Sequence, residues 1–550
     1  MRQSLTALVG LLAAAAIVAA PVAGAPAQTP TRGGTVVVGT LQEPACLNAF
    51  LLRCGSNLPS VRTLMDVALP GAYRVDSDLV FRPALVSGVD YTTAPPFTLT
   101  YHIRPEARWS DGVPVTARDF VFTHAAVRSV WDELWEPDRP LHSVIRRVRA
   151  LDEKTVEVVL GVRFSGWRGL FPRVLPSHVL RGEDFSNVWR DRIHDPKTGR
   201  PIGSGPFLIT RWERGSSVTF ARNPRYWGRH PSHLDRLVVR FCVQCGAPGS
   251  EPFELLRTGE LDLVQSSAFT GEQVELLRRL PGVRVIVGQG SAWEHVIVRV
   301  SGEGGNPALK RKPVRQALAY GIDRVALARQ LNAQFADRYP PSDSVLFLAN
   351  SPYYRPNWQR YRYRPDAARR LLERDGCRRG PDGIYACDGL RLSLRMSTTA
   401  GNPRRQQTLE LIQRQLRQVG IEIVPEYAPP PVLFNQILPS GRFDLGLLAS
   451  LRSAESGRAV VVLGCGGAQN VGGYCQRIVT RDLDQATRIL DAAHQARVLN
   501  RADAQLAKDV PYLPLFQNPY VVAHRAAVRN VGLASPLNPF LGAEDWWLDR

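Results

Sequence analysis

Thr408-Leu409-Glu410-Leu411-Ile412-Gln413-Arg414-Gln415-Leu416-Arg417-Gln418-Val419-Gly420-Ile421-Glu422-Ile423-Val424 is the stretch whose reading decides the fold class. Leu409, Ile412, Leu416 and Val419 recur at intervals of three and four, which places them on one face of a 3.6-residue repeat. Gly420 stops that helix, and Ile421–Val424 follows as a strand. A helix, a glycine and a strand in immediate succession form the repeating unit of α/β layers. Working outward, strand-like runs at Thr35–Gly39, Phe97–Ile103, Thr155–Leu160, Ser217–Phe220, Leu237–Val243, Val283–Val287, Trp293–Val300 and Leu390–Met396 alternate with helical ones. Pro313 opens a helix over Val314–Tyr320, and Asp366–Glu373 reads as another. The expected class is α/β with several mixed sheets.

The chain has 550 residues, enough for three or four domains at roughly 150 residues each. A 44% hydrophobic content excludes a disordered chain. Of 69 basic residues five are Lys and 64 are Arg, against 50 acidic ones, for a net charge of +19. An anionic partner is one reading of that excess. The arginines are dispersed, however, and no basic run marks a nucleic-acid arm, so no nucleic-acid partner is expected. Arg2, the apolar run Leu5–Ala20 and Ala25-Pro26-Ala27 read as a secretory signal peptide over 1–27, with cleavage before Gln28. No Cys falls in that segment, so no lipid anchor is expected.

Eight cysteines lie as four close pairs: Cys46/Cys54, Cys242/Cys245, Cys377/Cys387 and Cys465/Cys475. In an oxidising compartment they read as disulfides that pin loops. His230, His233, Cys242 and Cys245 carry the ligand types of a zinc site. The strand-like run between them and the compartment argue against it, and no metal or cofactor is expected. The chain has no HExxH, GxSxG, Walker A or GxGxxG strand–helix signature, so no enzyme activity is expected.

Seven further segments, read in order, carry a resemblance. Arg32–Gly39 leads into Glu43-Pro44 and Leu47-Asn48. Ile103-Arg104-Pro105, Trp109-Ser110-Asp111-Gly112 and Pro114–Asp119 form the longest pattern. Gly203–Phe207, Asn223-Pro224 with Tyr226-Trp227-Gly228, Gly259–Asp262, Val314–Leu318 with Gly321–Arg324, and Pro511–Phe516 follow. In this order they resemble the family 5 extracellular solute-binding proteins of ABC importers. Each also has a local physical role. Trp109–Gly112 is a turn capped by a core Trp, and Thr116 is placed to cap the helix that follows.

The resemblance implies a bilobal, periplasmic-binding-protein-like fold of three domains. Domain I would comprise 32–58, 203–292 and 515–550, domain II the insertion 59–202, and domain III 293–514. It implies an exported, non-enzymatic monomer, peripheral to the membrane at the periplasm or cell surface. Such a protein captures oligopeptides or a related small polar solute between its lobes and hands it to a permease. The pair Cys465/Cys475 lies where dipeptide-binding relatives carry a disulfide.

Candidate ligand-binding residues follow from position in the family: Glu43, Trp293, Glu294, His295, Ser397, Thr398, Arg452 and Glu455. Peptide binders of the family place an amine-anchoring carboxylate near position 452, where this chain has Arg452, with Glu455 close by. An Arg there favours a carboxylate or phosphate over an ammonium. Two other readings stay open: a secreted hydrolase on this scaffold, and a binder of anionic cell-surface polymers.

Overall fold

The computed structural model describes residues 29–549 apart from 41–42, 55–58, 78, 135–138, 242–251, 267–268, 302–303, 336–338, 453–457 and 534–538. The signal-peptide reading, Cys242, Cys245 and Glu455 therefore lie outside the described residues. Its centre is a ten-stranded mixed sheet. The strands run, edge to edge, as Glu422–Ala428, Ser393–Thr399, Leu445–Leu451, Val283–Val298, Tyr512–Arg525, Leu263–Ser266, Thr35–Thr40, Arg236–Phe241, Ser217–Arg222 and Phe207–Glu213. Neighbours far apart in sequence lie side by side, as the alternating pattern predicts for an α/β layer.

Val283–Val298 and Tyr512–Arg525 are the long members, with 16 and 14 residues, and they pair antiparallel along nearly their whole length. The sequence predicts two strands where the first of these is one. Gly288, Gln289 and Gly290 interrupt the apolar alternation, yet the strand continues through them because its partner supplies a backbone ladder on both sides of the break.

Hydrophobic cores sit on either side of that break. One gathers buried residues from Val36 to Leu263, with Tyr520, Val522 and Trp546. A second runs from Trp293 to Phe516. A third, smaller one joins Phe269, Val274, Leu277 and Val521 to Phe335, whose chain neighbours belong to the second. Phe335 is thus a plug from one half of the molecule in the other.

The helix that opens the sequence reading spans Pro403–Val419, five residues longer at its start than the apolar pattern indicates. Asn402 is its N-cap, accepting from the Arg405 amide at 3.1 Å, and Pro403 occupies the first turn. Gly420 closes it with φ of 95°, and an added Cβ there would lie 2.7 Å from the Gly383 carbonyl. No other residue type suits both demands. Three disulfides are formed among the described residues: Cys46–Cys54, Cys377–Cys387 and Cys465–Cys475. None of the described helices is long and apolar enough to cross a membrane.

The motif Trp109–Asp119 packs beside a separate four-stranded sheet, Val86–Tyr91, Phe97–Ile103, Thr155–Leu160 and Ile145–Ala150 in spatial order. Asp119 is its organising residue. Its buried carboxylate accepts from the Thr116 amide at 2.8 Å, Trp109 Nε1 at 3.2 Å, and the Ser177 amide and hydroxyl at 2.8 and 2.6 Å. Asp119→Asn turns one acceptor oxygen into a donor facing donors. A loss of about 2 kcal/mol in unfolding free energy, read from denaturant titration, is the expected result.

Candidate functional site in the interlobe seam

The sheet register defines where a ligand site belongs. Thr35–Thr40 runs parallel to Leu263–Ser266, whose last residue pairs with Val521. The carboxyl ends of both strands therefore point toward the middle of the long pair. From the other half, Leu445–Leu451 ends opposite Ala292, and Ser393–Thr399 runs parallel beside it. Two sets of strand carboxyl ends thus face each other across one line, the position at which α/β proteins bind ligands.

At that line the long ladder is broken: Gln289 pairs with Pro519 and Trp293 with Gln517. Gly290, Ser291 and Ala292 oppose the single residue Asn518, a bulge that lets the halves bend relative to each other. Buried polar atoms cluster around it. Among the described residues, Ser291 Oγ, Gln517 Oε1, Asn518 Oδ1, Arg452 Nε, Arg404 Nε and Asn332 Nδ2 have no hydrogen-bond partner. Buried polar groups are nearly always partnered, so this concentration makes the bulge a candidate for a ligand or bound water.

Trp293, Glu294 and His295 lie just beyond the bulge, and strand alternation sends them to opposite faces of the sheet. On one face the Trp293 and His295 rings stack at 4.3 Å, with Tyr512 5.6 Å from the imidazole. Burial drives the His295 pKa down to about 4. The carboxylate of Glu294 opposes that shift, and the charges of Arg405 and Arg452 reinforce it. The imidazole is therefore neutral at pH 7.

On the other face Glu294, only 3% exposed, is held by Arg405 Nε at 2.6 Å and Asn518 Nδ2 at 3.0 Å. Burial pulls its carboxyl pKa upward. The Arg405 charge and the hydrogen bonds from Asn518 and Arg405 outweigh it, so the group stays ionised below the usual carboxylate range. Arg405 also reaches Thr399 Oγ1 at 2.8 Å. Beside it, Arg404 lies between the rings of Phe335 and Phe516, at 5.3 and 5.4 Å, and bonds to Asn332.

Arg452 lies on the Trp293 face, its guanidinium carbon 5.0 Å from the Trp ring centroid. It donates to the Val345 carbonyl. Among the described residues no carboxylate lies within ion-pair distance. Burial lowers its pKa to about 10, with Asp503 acting against that shift, so the group remains a cation. Removal from water without a paired anion is costly, and a cation–π contact offsets only part of it.

The other predicted residues are placed differently. Ser397 and Thr398 are fully buried and occupied within the sheet, bonded to Glu426 and to the Leu447 carbonyl at 2.8 Å. Both oxygens of Glu43 are taken by a hairpin turn, accepting from Trp212 Nε1 at 3.0 Å and the Gly215 amide at 2.9 and 3.1 Å. His230 pairs with Asp545 at 2.8 Å and stacks on His233. The seam therefore brings together Trp293, Glu294, His295 and Arg452. It adds Arg404, Arg405, Gln517 and Asn518, which sequence reasoning missed. The Asn402-Pro403 start signal was the available pointer to the two arginines.

Two halves joined by long shared strands, with strand carboxyl ends and unpartnered polar groups facing each other at the bend, define a hinged binding protein. The chain belongs to the bacterial extracellular solute-binding proteins, family 5, whose model matches residues 80–462. It is 24% identical over 511 residues to the oligopeptide-binding protein OppA of Mycobacterium tuberculosis, covering 91% of this chain and 82% of that one. Its fold matches the periplasmic EDTA-binding protein EppA with a TM-score of 0.84 at 22% identity, covering 95% of this chain and 98% of that one. It also matches AppA of Bacillus subtilis in complex with a nonapeptide, with a TM-score of 0.76 at 19% identity, covering 95% and 100%. These relatives are binding proteins and not enzymes, and the family is extracellular or periplasmic.

Proposed function

We propose that the chain is the exported solute-binding component of an ABC importer, and that its lobes close on an oligopeptide or a related small polar solute at the Gly290–Ala292 bulge. A membrane permease then receives the closed form. In this reading domain I comprises 32–58, 203–292 and 515–550, domain II 59–202 and domain III 293–514, and the protein works as a monomer.

Arg452 carries the finer assignment. A guanidinium stacked on Trp293, with an unpartnered Nε and, among the described residues, no carboxylate in ion-pair contact, favours a ligand that presents a carboxylate or phosphate. A free ammonium at that point would be repelled. The test is ligand-dependent thermal stabilisation with three probes: a free peptide, its N-acetylated form and a polycarboxylate such as EDTA. Acetylated or polycarboxylate probes are expected to raise the melting temperature most. Arg452→Gln is expected to weaken them tenfold or more with an unchanged unliganded fold by circular dichroism. Tighter binding of the free-amine peptide to the native chain, or equal binding by the variant, rejects the assignment. Native mass spectrometry of the purified protein would identify the resident ligand directly.

A further inference from the structure

The same two long strands line an open pocket at their outer end, away from the seam. It has a volume of about 450 Å³, within the roughly 300–1,000 Å³ typical of small-molecule sites. Arg284 and His524 are directly paired residues of the antiparallel ladder, so their side chains share one sheet face. Alternation adds Ile286 to that face. Val528 and Arg529, a short strand paired with Trp547–Leu548, supply the other wall together with Asn530 and Val531. Arg284 is nine residues from Trp293, roughly 30 Å along a strand at about 3.3 Å per residue.

Its charges do not balance. Arg529 is neutralised by Asp549, with Nε at 3.1 Å, and Arg525 pairs with Asp262 at 3.5 Å. Asn530 Nδ2 is spent on the Asp545 carbonyl at 3.1 Å. Arg284 is exposed, and among the described residues it has no carboxylate within ion-pair distance. His524 is 3% exposed, with Nδ1 2.9 Å from the Arg525 carbonyl oxygen. Burial, with the charges of Arg284 and Arg529, holds its pKa below the usual imidazole range. One guanidinium without an ion-pair partner among the described residues therefore faces a pocket whose apolar lining is Val285, Ile286, Val528 and Val531, alongside His524, Arg529 and Asn530.

We propose that this cavity is a second ligand site, for an amphipathic organic anion whose carboxylate or phosphate rests on Arg284 and whose alkyl body lies against Ile286, Val528 and Val531. The assignment is independent of what the interlobe seam binds. Titration calorimetry of the full chain with octanoate, octyl phosphate and inorganic phosphate tests it. Octanoate or octyl phosphate is expected to saturate one site at least tenfold more tightly than inorganic phosphate, and the better of the two identifies the head group. Arg284→Gln, at an exposed position, is expected to weaken that binding about tenfold while the unliganded melting temperature stays unchanged. Val531→Asp is expected to abolish it. Absence of binding by both amphiphiles at millimolar concentration overturns the proposal. So does inorganic phosphate binding as tightly as octyl phosphate, or a loss of binding in Arg452→Gln in place of Arg284→Gln.

Discussion

Glu294→Ala is expected to lower the unfolding free energy by about 3–5 kcal/mol, among the largest effects of any single substitution outside the hydrophobic cores. The reason is what it leaves behind. Arg405 is mostly buried and loses its carboxylate partner at 2.6 Å, while Asn518 Nδ2 loses its acceptor at 3.0 Å. A buried charge without a counter-ion costs far more than the ion pair itself contributes. Glu294→Gln keeps an acceptor for one neighbour and sets an amide donor against the other, so it is expected to retain part of the lost stability. The double variant Glu294→Ala with Arg405→Ala should be less destabilised than the sum of the single ones. Denaturant titrations of the four proteins give the coupling energy. A single-variant loss under about 1 kcal/mol would show that the pair is not desolvated.

His295 sets the second large effect, and its sign follows from linkage. In the unfolded chain the imidazole titrates near 6.5. In the folded protein burial, with Arg405 and Arg452 nearby, lowers its pKa to about 4 against the opposing pull of Glu294 and the Trp293 carbonyl. Between those values the unfolded chain takes up a proton that the folded one refuses, so stability falls as pH drops from about 6.5 to about 4. At 1.36 kcal/mol per pKa unit the loss amounts to about 3 kcal/mol. His295→Phe should remove the slope in that window. Glu294 acts lower on the scale. Its stabilisation is present above the unfolded carboxyl pKa of about 4.3 and disappears as pH falls through its depressed folded value. A native stability that stays flat between pH 6.5 and 4 would contradict the buried, neutral imidazole.

The fold class was legible from local pattern because helix periodicity and a terminating glycine are encoded within a few residues, as at Leu409–Gly420. The long strand Val283–Val298 was not, because Gly288 and Gly290 read locally as a break. Its continuity is supplied by Tyr512–Arg525, more than 200 residues away. The site follows the same division. Trp293, Glu294, His295 and Arg452 were reachable because they sit on strands whose ends the family pattern locates. Arg405 was missed because its partner Glu294 is separated from it by 111 residues, and no spacing rule spans that distance. Glu43 lies apart from the seam cluster for the converse reason. Its position after the first strand was right, but its carboxylate is consumed by a turn 172 residues further on.

The two shared strands also bear on how such a chain came to exist as one unit. Each lobe takes its central strands from the same two continuous segments, and each core closes on both of them. The ten-stranded sheet is complete in neither lobe without these two segments, although one lobe also carries the separate four-stranded sheet. Phe335, seated in its neighbour's core, adds a further shared part. The halves are consequently joined through shared, continuous backbone. A change of specificity is therefore expected to arise at side chains around the bend while the shared strands stay in place.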